Sequence, residues 1–163
     1  MRNLLVITLI GLGLLSGCGG GNSNSDNTGS KAEQQSNESG LTDFQMKNGI
    51  GPITEPMQLA AIDKELAEQG EELFKINCSA CHKLDERYVG PAQRDLVERR
   101  SPEYIMNMIL NPAEMLEKHP EAKKMLAKFM TPMPNQNVNR EEARAILEYF
   151  RYMDANKDKT EVD

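Results

Sequence analysis

From Leu59 to about Asn77 the residues Leu59, Ile62, Leu66, Gly70, Leu73 and Phe74 recur at the 3.6-residue period of a helix buried on one face. Ser101-Pro102 reads as an N-cap followed by proline at the first helical position, opening a short helix with Ile105, Met108 and Ile109 on one side. Asn111-Pro112-Ala113-Glu114 repeats that signal with an acid at the capping-box position. Pro120 starts a further segment carrying Met125, Leu126 and Phe129. Asn139-Arg140-Glu141-Glu142 is the clearest capping box, and behind it Ala143, Ile146, Leu147, Phe150 and Met153 share a face. No run alternates like a strand, so the chain reads as all-α. Ahead of these helices, Leu4–Leu15 is an apolar run behind a basic Arg2, and it is shorter than the roughly 20 residues a bilayer crossing needs. Residues 1–17 therefore read as an export signal.

The remaining organisation follows from composition. Leu15-Ser16-Gly17-Cys18 resembles the lipobox of bacterial lipoprotein signals, which implies cleavage before Cys18 and acylation of its thiol and amine. Several acyl chains anchor a protein stably where one holds it only marginally. From Gly19 to about Gly40 the chain is mostly Gly, Ser, Asn, Asp, Gln and Glu with almost nothing apolar, and 18–40 reads as a lipid-anchored flexible tether. Residues 41–58, with Gly49, Gly51, Pro52 and Pro56, read as an irregular lead-in to a domain over 59–155, and 156–163 as a charged tail. Without the signal, Leu, Ile, Val and Phe fall below the level of about 20% at which side chains alone struggle to build a core. Something else is expected to fill the middle. The net charge is −6, one unit more negative without Arg2, and no basic stripe interleaved with aromatics is present. That excludes nucleic acid as a partner and points to proteins with basic docking patches.

Cys78-Ser79-Ala80-Cys81-His82 carries the chemistry. Two cysteines three apart can each form a thioether to one vinyl group of a haem, and the adjacent histidine then reaches the iron, so the motif reads as c-type haem attachment. A zinc site would need two more ligands, and the only other Cys and His are Cys18 and His119. A thioredoxin-like redox pair expects a βαβ setting with the cysteines opening a helix, whereas these close one. A disulfide across three residues closes too small a loop to stabilise much.

A second axial ligand is expected downstream. Thr131-Pro132-Met133-Pro134-Asn135 sets a methionine between two prolines in a stretch that cannot be helical, so Met133 is the candidate. Met106, Met108, Met115, Met125 and Met130 lie at helical spacing and read as packing residues. Met130 and His119 are the competing ligands, although His119, ahead of Pro120, reads as a surface residue joining two helices.

From about residue 60 to 155 the chain resembles a class I bacterial c-type cytochrome. The resemblance rests on Cys78–His82, Tyr88-Val89-Gly90-Pro91, Met133-Pro134-Asn135 and the final amphipathic helix, in that order. It implies an all-α cytochrome c-like fold of four to five short helices around one covalently attached haem c. The first and last helices would cross at Gly70, Phe74 and Tyr149, and Pro91 would offer its carbonyl to the His82 ring. The function implied is electron transfer by a lipid-anchored carrier working between respiratory complexes and a terminal reductase or oxidase, not an enzyme. A haem-based sensor with a displaceable Met133 and a subunit docked permanently in a larger oxidoreductase are the alternatives, and the tether argues against the second.

Overall fold

The computed structural model describes residues 39–157, and its elements among them are seven helices and no strand. Residues 1–17, Cys18 and the tether up to residue 38 lie outside the described residues. No described helix is long and apolar enough to cross a membrane.

Two helices set the frame. Helix α2 (Lys64–Asn77) begins where the Asp63 carboxylate accepts the Leu66 N–H, at 3.1 Å. The helix predicted from Leu59 therefore starts five residues later. The stretch before it is held extended by the buried Glu148, which accepts the Asp63 N–H, and by Arg151, which donates to Ala60 O. Helix α7 (Arg140–Ala155) opens on the predicted box, Asn139 and Glu142 exchanging two hydrogen bonds of 2.8 Å. The two helices cross at Gly70, where a Cβ would stand 1.9 Å from Ala145 O, so only glycine allows this approach. Phe74 packs beside the crossing against Tyr149 and Phe150, with centroids 5.6 and 5.7 Å apart. Such aromatic pairs add roughly 0.5–1.5 kcal/mol beyond the area they bury.

Between them run α3 (Leu96–Arg99), α4 (Pro102–Leu110), α5 (Pro112–Lys118) and α6 (Pro120–Phe129). Ser101 caps α4 through the Tyr104 N–H, as predicted. Asn111 does not cap α5. Its side-chain amide donates instead to Ile50 O and to Glu114, so the expected capping box is replaced by a link to the preceding segment. α3 has no strong sequence signal and exists because Asp154, near the end of α7, accepts the Asp95 and Val97 N–H groups.

The stretch read as an irregular lead-in contains a six-residue helix, α1 (Asp43–Asn48), closed by a Thr42–Gln45 capping box. Leu41, Ile50 and Ile53 from this stretch are buried. Asn107, fully buried on α4, ties it down: its amide donates to Asn48 O and Ile53 O and accepts the Ile53 N–H. Gly49, at φ +81°, lies against Met115, whose thioether accepts the Ile50 N–H.

Two sequence readings change. His119 is fully buried, not on the surface, because this stretch covers it: its Nε2 lies 3.2 Å from Met46 O, its Nδ1 accepts the Glu121 N–H, and its ring meets Tyr104 edge-on. Met130 is not a packing residue. It ends α6 at φ +58° and is 83% exposed, because the αL turn at the C-cap swings it outward.

Candidate functional site

Cys78 is the C-cap of α2, and the chain turns beyond it without leaving the helix end: the Cys81 and His82 N–H groups both donate to Cys78 O, at 3.0 and 2.9 Å. Cysteines spaced by three on this turn, with the histidine next, all line one cleft. The loop that follows folds back on itself. Gly90 donates to Cys81 O at 2.8 Å, and Gln93 and Arg94 donate to the carbonyls of Lys83 and Leu84. An Arg94–Asp85 ion pair reinforces the base of this loop.

The loop fixes the imidazole. A Cβ on Gly90 would stand 2.4 Å from the His82 ring, so glycine is what lets the backbone lie against it. Nδ1 lies 2.9 Å from Pro91 O and 2.7 Å from the Gln93 side-chain nitrogen, which itself donates to Pro91 O. Nε2 is left as the nitrogen available for coordination.

Met133 is half-buried and lines the same cleft, together with its neighbours Pro132 and Pro134. Its loop is braced locally, by Gln136 donating to Pro134 O and the Asn137 N–H donating to Asn135. Met130 and His119 are not part of the lining. The structure thus brings together Cys78, Cys81, His82, Pro91 and Met133, while Cys18 lies outside the described residues.

The rest of the wall is largely apolar. Phe74, Ile105, Ile109, Ile146 and Phe150 form its floor, and Met108 and Met125, expected only to pack between helices, also face it. Polar groups that sequence reasoning did not single out join them, Gln93, Arg99 and Arg100 among them. Gln93 is buried beside the histidine, and Arg99 and Arg100 line the wall near α3. The adjacent pair of arginines was a visible signal; Gln93 carried none.

This donor set fits a covalently held haem. Burial, with the neighbouring Cys81 second, pushes the Cys78 thiol up to about 11, opposite to the lowered value of a reactive redox cysteine. Among the described residues no three His, Cys, Asp or Glu side chains gather as a metal cluster would require. What remains is a largely apolar slot whose lining holds two thiols, an imidazole and a thioether.

Comparison with known proteins agrees with that fit. The sequence profile of the cytochrome c family matches residues 67–154. Cytochrome c-551 of Stutzerimonas stutzeri is 31% identical over 105 residues, covering 64% of this chain and 95% of that protein. Cytochrome c-551 of Ectopseudomonas mendocina is 32% identical over 81 residues, covering 49% and 92%. Among solved structures, a cytochrome c from Rhodothermus marinus superposes with a TM-score of 0.65 at 46% identity, over 69% of this chain and 97% of that one.

Proposed function

Because the chain belongs to the cytochrome c family, whose members transfer electrons, we propose that it is a lipid-anchored monohaem carrier, exported to the outer face of a bacterial membrane. There it shuttles electrons between respiratory complexes and a terminal reductase or oxidase. One haem c is held covalently through Cys78 and Cys81. When bound, haem iron supplies reversible one-electron chemistry.

His82, its ring oriented by Pro91 and Gly90, would hold the haem iron through Nε2. Met133 offers its sulfur as the second axial ligand, and its place in the lining of the cleft that holds His82 is the observation that carries the proposal. Held by both side chains, the iron would offer substrates no open position and would supply outer-sphere electron transfer. His/Met ligation holds the potential high. Arg99 and Arg100 are among the residues lining the cleft, Arg99 donating to Asp95 O, Ala92 O and Arg94 O and Arg100 paired with Glu121. The acidic chain, with net charge −6, is steered toward basic patches on its redox partners. Cys18, acylated, holds it to the membrane.

Absorption spectra test the ligation. The oxidised protein should show a methionine-to-iron charge-transfer band, and the reduced protein should bind carbon monoxide slowly or not at all. Rapid binding with no such band would favour the haem-based sensor in its place. Cys18→Ser should release the protein into the soluble exported fraction with its spectrum unchanged; a wild-type protein already soluble would refute the anchor alone.

A further inference from the structure

Two polar atoms crowd His82 Nδ1. Pro91 O lies at 2.9 Å and the Gln93 side-chain nitrogen at 2.7 Å, and that nitrogen lies a further 2.7 Å from Pro91 O, to which it donates. Gln93 is only 8% exposed, and its backbone N–H is held by Lys83 O and Leu84 O, both at 3.0 Å. Buried primary amides are satisfied by partners, and this one directs a donor at the same oxygen that orients the imidazole.

The protonation state decides what the triangle means. A neutral imidazole that coordinates through Nε2 carries its proton on Nδ1, where it can only donate. Two donors, Nδ1–H and the Gln93 N–H, then converge on one carbonyl with two lone pairs. The short contact between the two nitrogens follows from that sharing and is no bond of its own. As the amide is placed, its nitrogen donates to Pro91 O at 2.7 Å.

We propose that Gln93 is a positioning residue that, by sharing the Pro91 carbonyl, limits how far that carbonyl draws the Nδ1 proton and so keeps His82 a weaker electron donor to iron. A hydrogen bond from Nδ1–H to a strong acceptor raises the basicity of the ligand, and such bonding is one of the means by which a protein sets haem potential. A carbonyl divided between two donors polarises each less. Gln93 therefore raises the reduction potential without touching the iron. This inference rests on His82 being an axial ligand.

The test uses the full chain with haem attached, as wild type, Gln93→Leu and Gln93→Ala, the second serving if the first packs poorly. Redox titration gives the potential, and proton NMR of the reduced form gives the His82 ring resonances. Both variants should have a lower potential than wild type, with the Nδ1–H resonance moved downfield and the methionine-to-iron band retained. An unchanged potential with an unmoved Nδ1–H would overturn the proposal and leave Gln93 a packing residue. A raised potential would overturn it as well, since Gln93 would then have been strengthening the donor. If the wild type lacks the strongly shifted ring resonances of a ligated histidine, the ligation itself fails, which separates that failure from a failure of Gln93.

Discussion

Gly70→Ala measures how far the crossing of α2 and α7 constrains the fold. The added methyl would stand 1.9 Å from Ala145 O and 2.5 Å from Ala145 C. Ordinary contact lies at 3.4 Å or beyond, so the helices must separate by about 1.5 Å. No side-chain rotation relieves this, because both obstructing atoms are backbone. Overpacking a tight contact costs roughly 1–3 kcal/mol, and a backbone collision belongs at the upper end. Alanine recovers about 1 kcal/mol of helix propensity, which leaves a net loss of about 2 kcal/mol. At roughly 4 °C per kcal/mol for a domain of this size, Tm should fall by about 8 °C. Denaturant unfolding of the haem-loaded protein should show the midpoint shifted down with the slope unchanged. A variant as stable as wild type, or more stable by the propensity gain, would refute the close crossing.

Other perturbations follow from the same contacts. Met133→Ala should abolish the methionine-to-iron band and open the protein to carbon monoxide, whereas Met130→Ala, at a side chain 83% exposed, should leave the band intact and stability within about 0.5 kcal/mol. Burial would raise the Glu148 carboxyl, but the Asp63 N–H, Arg151 and Arg144 hold it below its ordinary value. Its contribution is therefore present above the unfolded-state value near 4.3 and is lost as pH falls through the lower folded value; acid titrations of stability should show Glu148→Gln losing less than wild type over that range. Burial lowers His119, so the unfolded chain takes up a proton first, and stability should fall as pH drops below about 6.5; His119→Gln should flatten that fall, and an unaltered slope would show that another group carries it.

The sequence made the frame legible and left its covering obscure. α2, α4 and α7 were readable because each pairs a helical period with a capping residue, Asp63 excepted, whose role depended on a buried carboxylate 85 positions away. The attachment motif was readable because the porphyrin dictates its spacing, and the two prolines flanking Met133 marked a non-helical loop, which lines the cleft. What was not legible depends on contacts distant in the chain. Residues 41–58 contain the glycines and prolines of a loop, and nothing local says that Asn107 accepts and donates three bonds there. His119 looked external because a histidine before a proline usually is; it is internal only because α1 lies over it. Gln93 could not be found at all, since a single glutamine gains meaning only from the carbonyl it reaches.

These distant contacts bear on the cleft through α4. One face of that helix, with Tyr104, joins Leu41, Ile50, Met115 and Ala122 in a second core cluster, while Ile105 and Ile109 belong to the first cluster with Phe74, Ile146 and Phe150. Residues of the first cluster also floor the cleft. The chain is poor in large aliphatic side chains because part of its interior is reserved for haem, and a slot of that kind tends to collapse unless its walls are supported from behind. The segment 41–58, α5 and α6 supply that support. The segment 41–58 holds α4 through Asn107 and α5 through Met115, and α6 carries Met125 and Phe129 to the cleft itself. The stretch that sequence left unexplained therefore has a physical reason: it braces from outside a core that cannot be filled by side chains from within.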